Sequence, residues 1–388
     1  MKLNLTITVA LLLFTSLYEL AFAQGCVAIR NMSCSGTGMN GNLGSSNSTG
    51  FLLPGELQAS LNYRHFRSFR HFRGKEEEAN RVKEGTEVIN LFNSFDLGLG
   101  YAASNRLSFN LVLPVTLNDR SSMYEHYGNA IETNPNRKRF DTQSAGIGDL
   151  RVSATYWILD PEKHHKGNFA LGLGIKAPTG NANVQDNFHK LDKEGNDYTI
   201  TKAVDQSIQL GDGGWGMSLE LQGYQMLFVN ASLYFNGFYL SNPRNVSNTL
   251  RNVNLDTDNP DNYYSVADQY AARLGINYSI TENMAFSLGG RIEGIPAYDV
   301  IGEEQGFRRP GYIISIEPGI SYQMHSLAFN LNVPFALVRD RIPNTQDIAT
   351  GKHGDAAFAD YLVNAGVSYR FGGKKEPKVQ GWNELNKK

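Results

Sequence analysis

Residues 312–323 read YIISIEPGISYQ, and every second side chain is apolar or aromatic: Ile314, Ile316, Pro318, Ile320 and Tyr322. Between them lie Ser315, Glu317, Gly319, Ser321 and Gln323. A period of two places one set on each face of a β-strand. The following segment alternates in the same way. Leu327, Phe329, Leu331, Val333, Phe335 and Leu337 interleave with Ala328, Asn330, Asn332, Pro334 and Ala336. So few residues separate the two runs that they form a tight hairpin.

The pattern recurs along the chain. Twelve strands are expected, at about 56–72, 88–102, 107–119, 147–159, 168–179, 214–225, 229–241, 264–279, 284–296, 311–323, 326–340 and 359–371. Short connections at Ser104, 160–167, 226–228, Thr281 and Met324 alternate with long polar ones at 73–87, 120–146, 180–213, 242–263, 297–310 and 341–358. Strict alternation of short and long connections describes an all-β, up-and-down antiparallel barrel with its short turns at one rim.

Two orientations of such a barrel are possible, apolar face inward as in a soluble barrel or outward as in a transmembrane one. The polar face carries Arg64, Asp96, Asp149, Arg151, Lys176, Glu220, Arg273, Arg291, Glu293, Glu317 and Arg370, too many charges for a soluble barrel core. The apolar face carries tyrosines at one level. Tyr101, Tyr156, Tyr278, Tyr322 and Tyr369 each close a descending strand in register with its apolar residues; Tyr224 is off by one. The near-repeats GINY, GISY and GVSY at 275–278, 319–322 and 366–369 are three of these strand ends. Tyrosines at one height make an interfacial girdle. The expectation is therefore a transmembrane barrel with these tyrosines at the periplasmic interface and the charges of the polar face lining the lumen. Pro114, Pro178, Pro296 and Pro334 mark the upper edge of the membrane band, since proline removes a ladder donor.

The N-terminus fits export. Lys2, the apolar run Leu5–Tyr18 and Ala21-Phe22-Ala23 read as a signal peptide over residues 1–23, giving a mature start at Gln24. Cys26 and Cys34 follow within a 24–55 segment; a disulfide between them is expected, with lipidation of Cys26 as the alternative. The barrel is assigned to 56–371 and a lysine-rich polar tail to 372–388. The net charge of −2 shows no basic excess for nucleic acid.

Four stretches carry a family resemblance: AGIGDL at 145–150, GIKAPTG at 174–180, QLGDGGWG at 209–216 and RRPGY at 308–312. They resemble the outer-membrane β-barrel transporter family linked to phenol meta-pathway degradation, in a Bacteroidetes-like branch. The resemblance implies a barrel in the outer membrane of a Gram-negative bacterium that passes small, often hydrophobic, molecules. It also implies outer-membrane lipids, lipopolysaccharide, the barrel-assembly machinery and a small-molecule solute as partners. This chain departs from the usual barrel ending, because residues 372–388 follow Phe371.

No pattern calls for a cofactor or a metal. Asp256, Asp258 and Asp261 lack the glycine and distant glutamate of a calcium loop and read as a solvated turn. A hydrolase would need a serine within reach of a histidine on one strand face, and His65 and His71 have none at that spacing; the chain is read as a non-enzyme, with a lipid hydrolase as a remote alternative. YRHFRSFRHFR at 63–73 interleaves cations with aromatic rings near the outer rim, either to hold anions or as a solvated girdle. The lumen charges either line a water path or pair across it, and either the stretch 35–50 or the 180–213 loop is a candidate plug. The expectation is a small-solute channel; the alternative is a structural or surface-interaction barrel without transport.

Overall fold

The computed structural model describes residues 52–281 and 283–372. The expected signal peptide at 1–23, the 35–50 stretch, both cysteines and residues 373–388 of the expected tail lie outside the described residues.

Twelve barrel strands follow the chain: β1 Glu56–Ser68, β2 Ile89–Ala102, β3 Leu107–Ser122, β4 in two pieces Phe140–Ile147 and Leu150–Trp157, β5 Gly167–Ala177, β6 Gly216–Phe228, β7 Ala231–Ser241, β8 Gln269–Ser279, β9 Met284–Ile295, β10 Gly311–Met324, β11 in two pieces Leu327–Asn332 and Phe335–Asp340, and β12 Val363–Gly372. Each pairs antiparallel with its neighbour in sequence. The sheet closes through β1 and β12, in register from Glu56 opposite Gly372 to His65 opposite Val363.

The faces are those that the alternation demands. Leu173 is 70% exposed and Leu219 57%, while Lys176 is 2% and Glu317 1%. A water-soluble barrel has the reverse arrangement, so the outer band must sit in hydrocarbon. No helix among the described residues is long and apolar enough to cross a membrane; the strands do so.

The expected strands need correction at the long-loop rim. Residues 120–146 are not all loop, because β3 runs to Ser122 and Phe140–Ile147 pairs beside it. Pairing thus continues above Pro114, whose carbonyl accepts from Gly148 N at 2.8 Å where β4 breaks. It also continues above Pro334, through Phe335–Asp340 against β10. The first strand is shorter than expected. Beyond Ser68 the chain leaves the wall, and Arg70–Arg73 pairs with Ala356–Phe358 in a separate small sheet over the mouth.

The long loops also carry structure of their own. Gln185–Leu191 and Asp197–Ala203 form a hairpin within 180–213. Two six-residue helices, α1 Ala79–Glu84 and α2 Thr345–Thr350, lie in other loops, and α2 is closed by a capping box between Asn344 and Asp347. Small apolar clusters fill the mouth. Phe66 and Phe92 pack with Ala359 and Leu362, and Phe72 packs with Ile313, Ala356 and Phe358.

Candidate functional site: lumen and mouth

The lumen charges are placed by strand register. Arg273 on β8 lies directly opposite Arg291 on β9. Two cations side by side demand anions, and Glu317 on β10 and Glu293 on β9 supply them. Arg273 holds Glu317 at 2.8 Å, Arg291 holds Glu293 at 2.7 Å and Glu317 at 3.8 Å, and Arg64 on β1 reaches Glu293 at 3.5 Å. Strands β1 and β9 are not neighbours in the sheet, so the last bridge spans the lumen. Five of the charges expected to line the lumen are therefore joined across it.

Others meet nearby. Ser94 donates to Asp96 at 2.7 Å and Ser218 to Glu220 at 3.2 Å. Arg151 lies over the Phe238 ring at 5.0 Å and within the field of Glu220 and Asp96. Arg370 sits near the short-turn rim, opposite Gln58.

A second assembly stands higher. Lys176 bridges Asp149 at 4.0 Å and forms a close ion pair with Asp212. Asp149 accepts backbone N–H groups from Gly180 at 2.9 Å and Asp212 at 3.2 Å. Here the chain cannot tolerate a side chain: a Cβ on Gly211 would stand 2.6 Å from both the Gly180 carbonyl and the Asp149 carboxylate. The stretches AGIGDL, GIKAPTG and QLGDGGWG thus meet in one cluster at the root of the 204–212 segment.

That segment folds into the mouth. Val204 and Ile208 are fully buried, and the Ile208 carbonyl accepts from Ser144 on the inner wall. Tyr264 donates to the Val204 carbonyl at 2.9 Å. Gln209 clamps the base of the turn, donating to Val204 O at 2.9 Å and accepting from Val184 N at 2.8 Å. At the tip, Asp205 caps the turn through Ser207 N at 2.9 Å. Its carboxylate takes both guanidinium nitrogens of Arg309, at 2.9 and 2.8 Å, with Arg120 at 3.5 Å. Arg120 is steadied by Asn90 at 2.8 Å. RRPGY, the fourth resemblance stretch, therefore supplies the partner of the plug; its Arg308 is tied to Asp299 at 2.6 Å.

The plug separates two spaces. Below it lies a cavity of about 90 Å³ whose lining includes Phe66, Phe92, Arg151, Lys176, Ile208 and Tyr264. Phe66 and Phe92 stack there at 4.7 Å and 10°. Above it an open cleft of about 760 Å³ is lined by His71, Arg81, Arg120, His126, Arg309 and Asp355 among others. Arg309 borders both. Burial pushes the Asp205 carboxyl up, but Arg120 and Arg309 outweigh it and hold it well below the usual 3.8. Burial likewise raises Asp355, and its hydrogen bond to His71, helped by Arg81, overrides that and lowers it. Burial, then Arg120 and Arg81, lower His126, so its ring is neutral at pH 7.

The remaining expected sites are spread over the wall. Tyr101, Tyr156, Tyr278, Tyr322 and Tyr369 are 43–51% exposed on the outer face, the first four within a few residues of a short turn and Tyr369 near the end of the last strand. Tyr224, off register, points inward, with its ring 6.2 Å from Trp157 and its hydroxyl on His164 O at 3.2 Å. Of YRHFRSFRHFR, Arg64 and Phe66 enter the lumen, while Arg70 and His71 belong to the mouth. His71 holds Asp355 at 2.5 Å through Nδ1 and accepts from Val88 N at 3.1 Å through Nε2, leaving no ring nitrogen to serve as a base. In the acidic loop, Asp256 accepts from Asp258 N at 3.0 Å within its own turn, and Asp261 accepts from Gly306 N at 3.1 Å and so ties two loops together. No group of three metal-ligating side chains occurs among the described residues.

Reasoning from sequence missed Asp212, Asp205, Arg120 and Arg309. The signal was present in QLGDGG and RRPGY, stretches richer in glycine, proline and charge than a barrel strand requires.

The fold has a solved counterpart. An outer membrane channel from Pseudomonas putida F1 superposes with a TM-score of 0.54 at 14% identity, covering 84% of this chain and 98% of that one. A Pseudomonas aeruginosa FadL homologue gives 0.43 at 9% identity over 90% and 98% of the two chains. The P. putida toluene transporter TodX gives 0.39 at 11% identity over 83% and 91%. No protein-family model matches the sequence, and no curated protein matches it. The fold is that of an outer-membrane barrel.

Proposed function

We propose that this protein is a gated outer-membrane channel for small solutes with a hydrophobic or aromatic body. It is exported by its signal peptide, with both termini periplasmic, the five tyrosines at the periplasmic interface and the long loops outside the cell. The observation that carries the reading is the plug. A single loop turn separates an outer cleft from an inner cavity, and a partly exposed ion pair pins its tip. Phe66 and Phe92, facing that cavity, match a flat apolar solute. The resemblance to the phenol meta-pathway family points to the same class, and the solved structure that shares this fold is an outer membrane channel. The lumen charges line the path below the plug.

A second reading has its own support. The cross-lumen bridge of Arg64 to Glu293 favours a barrel that does not conduct and works through its loops. Planar-bilayer recording decides between them. Refolded wild type should show rare small steps, and a chain lacking 204–211 should show steady ones. Glu220→Gln and Arg291→Gln should shift ion selectivity in that open form. If the loop-deleted barrel, shown to be folded, is silent, the channel reading is wrong and the structural one stands.

A further inference from the structure

Asp205 occupies its arginines as a ligand would. Its two oxygens take two parallel N–H donors from one guanidinium, the geometry by which arginine recognises a free carboxylate. A second guanidinium, Arg120, stands 3.5 Å away. The three side chains are not sealed: Arg309 is 16% exposed, Arg120 and Asp205 15%, and both arginines border the outer cleft. A solute in the cleft therefore meets the clamp from the open side. Directly beneath the same turn lies the Phe66–Phe92 stack.

We infer that the outer cleft is a recognition site for small aromatic carboxylates, and that such a ligand displaces Asp205 from Arg309 and Arg120 and so releases the plug. This deepens the channel reading and its gating half rests on it. Asp205 is the resting occupant of a carboxylate site. The other cations of the cleft do not compete for the role, because they are committed to acids of their own. Arg81 holds Glu78 at 2.6 Å and Asp355 at 3.2 Å, and His71 holds Asp355. The class follows from the two contacts in sequence: an anionic group for the arginines, then a planar apolar body for the phenylalanines.

Benzoate is the probe, with benzamide as the neutral isostere and the full chain in detergent for titration calorimetry. Wild type should bind benzoate about tenfold or more tightly than benzamide. Asp205→Asn removes the competing anion and should tighten benzoate about tenfold, whereas Arg309→Gln should weaken it by a similar factor. Should Arg309→Gln fail to fold, Arg120→Gln takes its place with the same expected direction. Equal binding of benzoate and benzamide, or a benzoate affinity unmoved by Asp205→Asn, overturns the site. In the bilayer, benzoate on the long-loop side should raise the open fraction of wild type but not of Asp205→Asn, which is already released. Binding by a barrel that conducts once 204–211 is removed, with no rise in the wild-type open fraction, overturns the displacement. Because binding is read without conduction, a silent barrel that still prefers benzoate removes the channel reading alone. A conducting Asp205→Asn barrel that binds benzoate no more tightly than benzamide removes this inference alone.

Discussion

The barrel holds two sets of ion pairs, and they differ in what surrounds them. The chain Arg64–Glu293–Arg291–Glu317–Arg273 is fixed to strands, with side chains 1–12% exposed. The set at the mouth, Arg120–Asp205–Arg309, joins a wall residue and a loop residue to a turn, and each member keeps about 15% exposure. Burial makes the first set expensive to disturb, because a group stripped of its partner finds no water. The second can trade its partner for water or a solute. Similar chemistry thus does different work: the deep set holds the wall together, and the shallow set holds the turn that the proposed gating would release.

The most severe way to break this comparison is Glu317→Gln. It leaves Arg273 and Arg291 uncompensated, and the barrel should lose about 3–5 kcal/mol in urea-induced unfolding in vesicles. A loss under about 1 kcal/mol would mean that water reaches the lumen and that the two sets are alike. Gly211→Ala comes next. The added methyl collides with the Gly180 carbonyl and Asp149, so the plug root must shift at a cost of about 1–3 kcal/mol, with more frequent conductance steps. An unchanged open fraction would uncouple the root from the tip. Asp205→Asn is milder for stability, about 1 kcal/mol, yet should produce the largest gain in open fraction of any single substitution at the mouth. An equal loss from Asp205→Asn and Glu317→Gln would erase the distinction.

The smallest effect expected is that of acid. The folded Asp205 carboxyl titrates well below 3.8, so the stability it contributes is present above the unfolded value and is lost only as pH falls below it. Lowering the pH from 7 to about 5 should therefore leave the open fraction unchanged. A rise across that interval, seen in wild type and absent in Asp205→Asn, would show a latch weaker than its geometry.

The wall was legible in the sequence for a plain reason. A strand with lipid on one side and polar lumen on the other must alternate, so each strand advertises its own register. Glu317 and Arg273 could be assigned inward from their immediate neighbours. The mouth could not be read in this way. Asp205 and Arg309 are 104 residues apart, and Asp149 and Asp212 are 63 apart. Nothing periodic links them, and their motifs show only as unusual glycine and proline. The extended pairing of β3 with Phe140–Ile147 escaped for a related reason. Above the membrane both faces meet polar surroundings, so the alternation that marks a strand fades where the strand continues.

The seam between β1 and β12 has a consequence for how the molecule is made. The first and last strands of the sheet are also the first and last to be synthesised, and their ten paired positions join the two ends of the sheet. Until β12 arrives, β1 presents an unsatisfied hydrogen-bonding edge that lipid cannot solvate and that any other strand can cap. Closure is a contact of nearly maximal sequence separation, the slowest kind to form unaided. The chain therefore spends its most vulnerable interval as an open sheet, and whatever shields that one edge during insertion governs the yield of folded barrel.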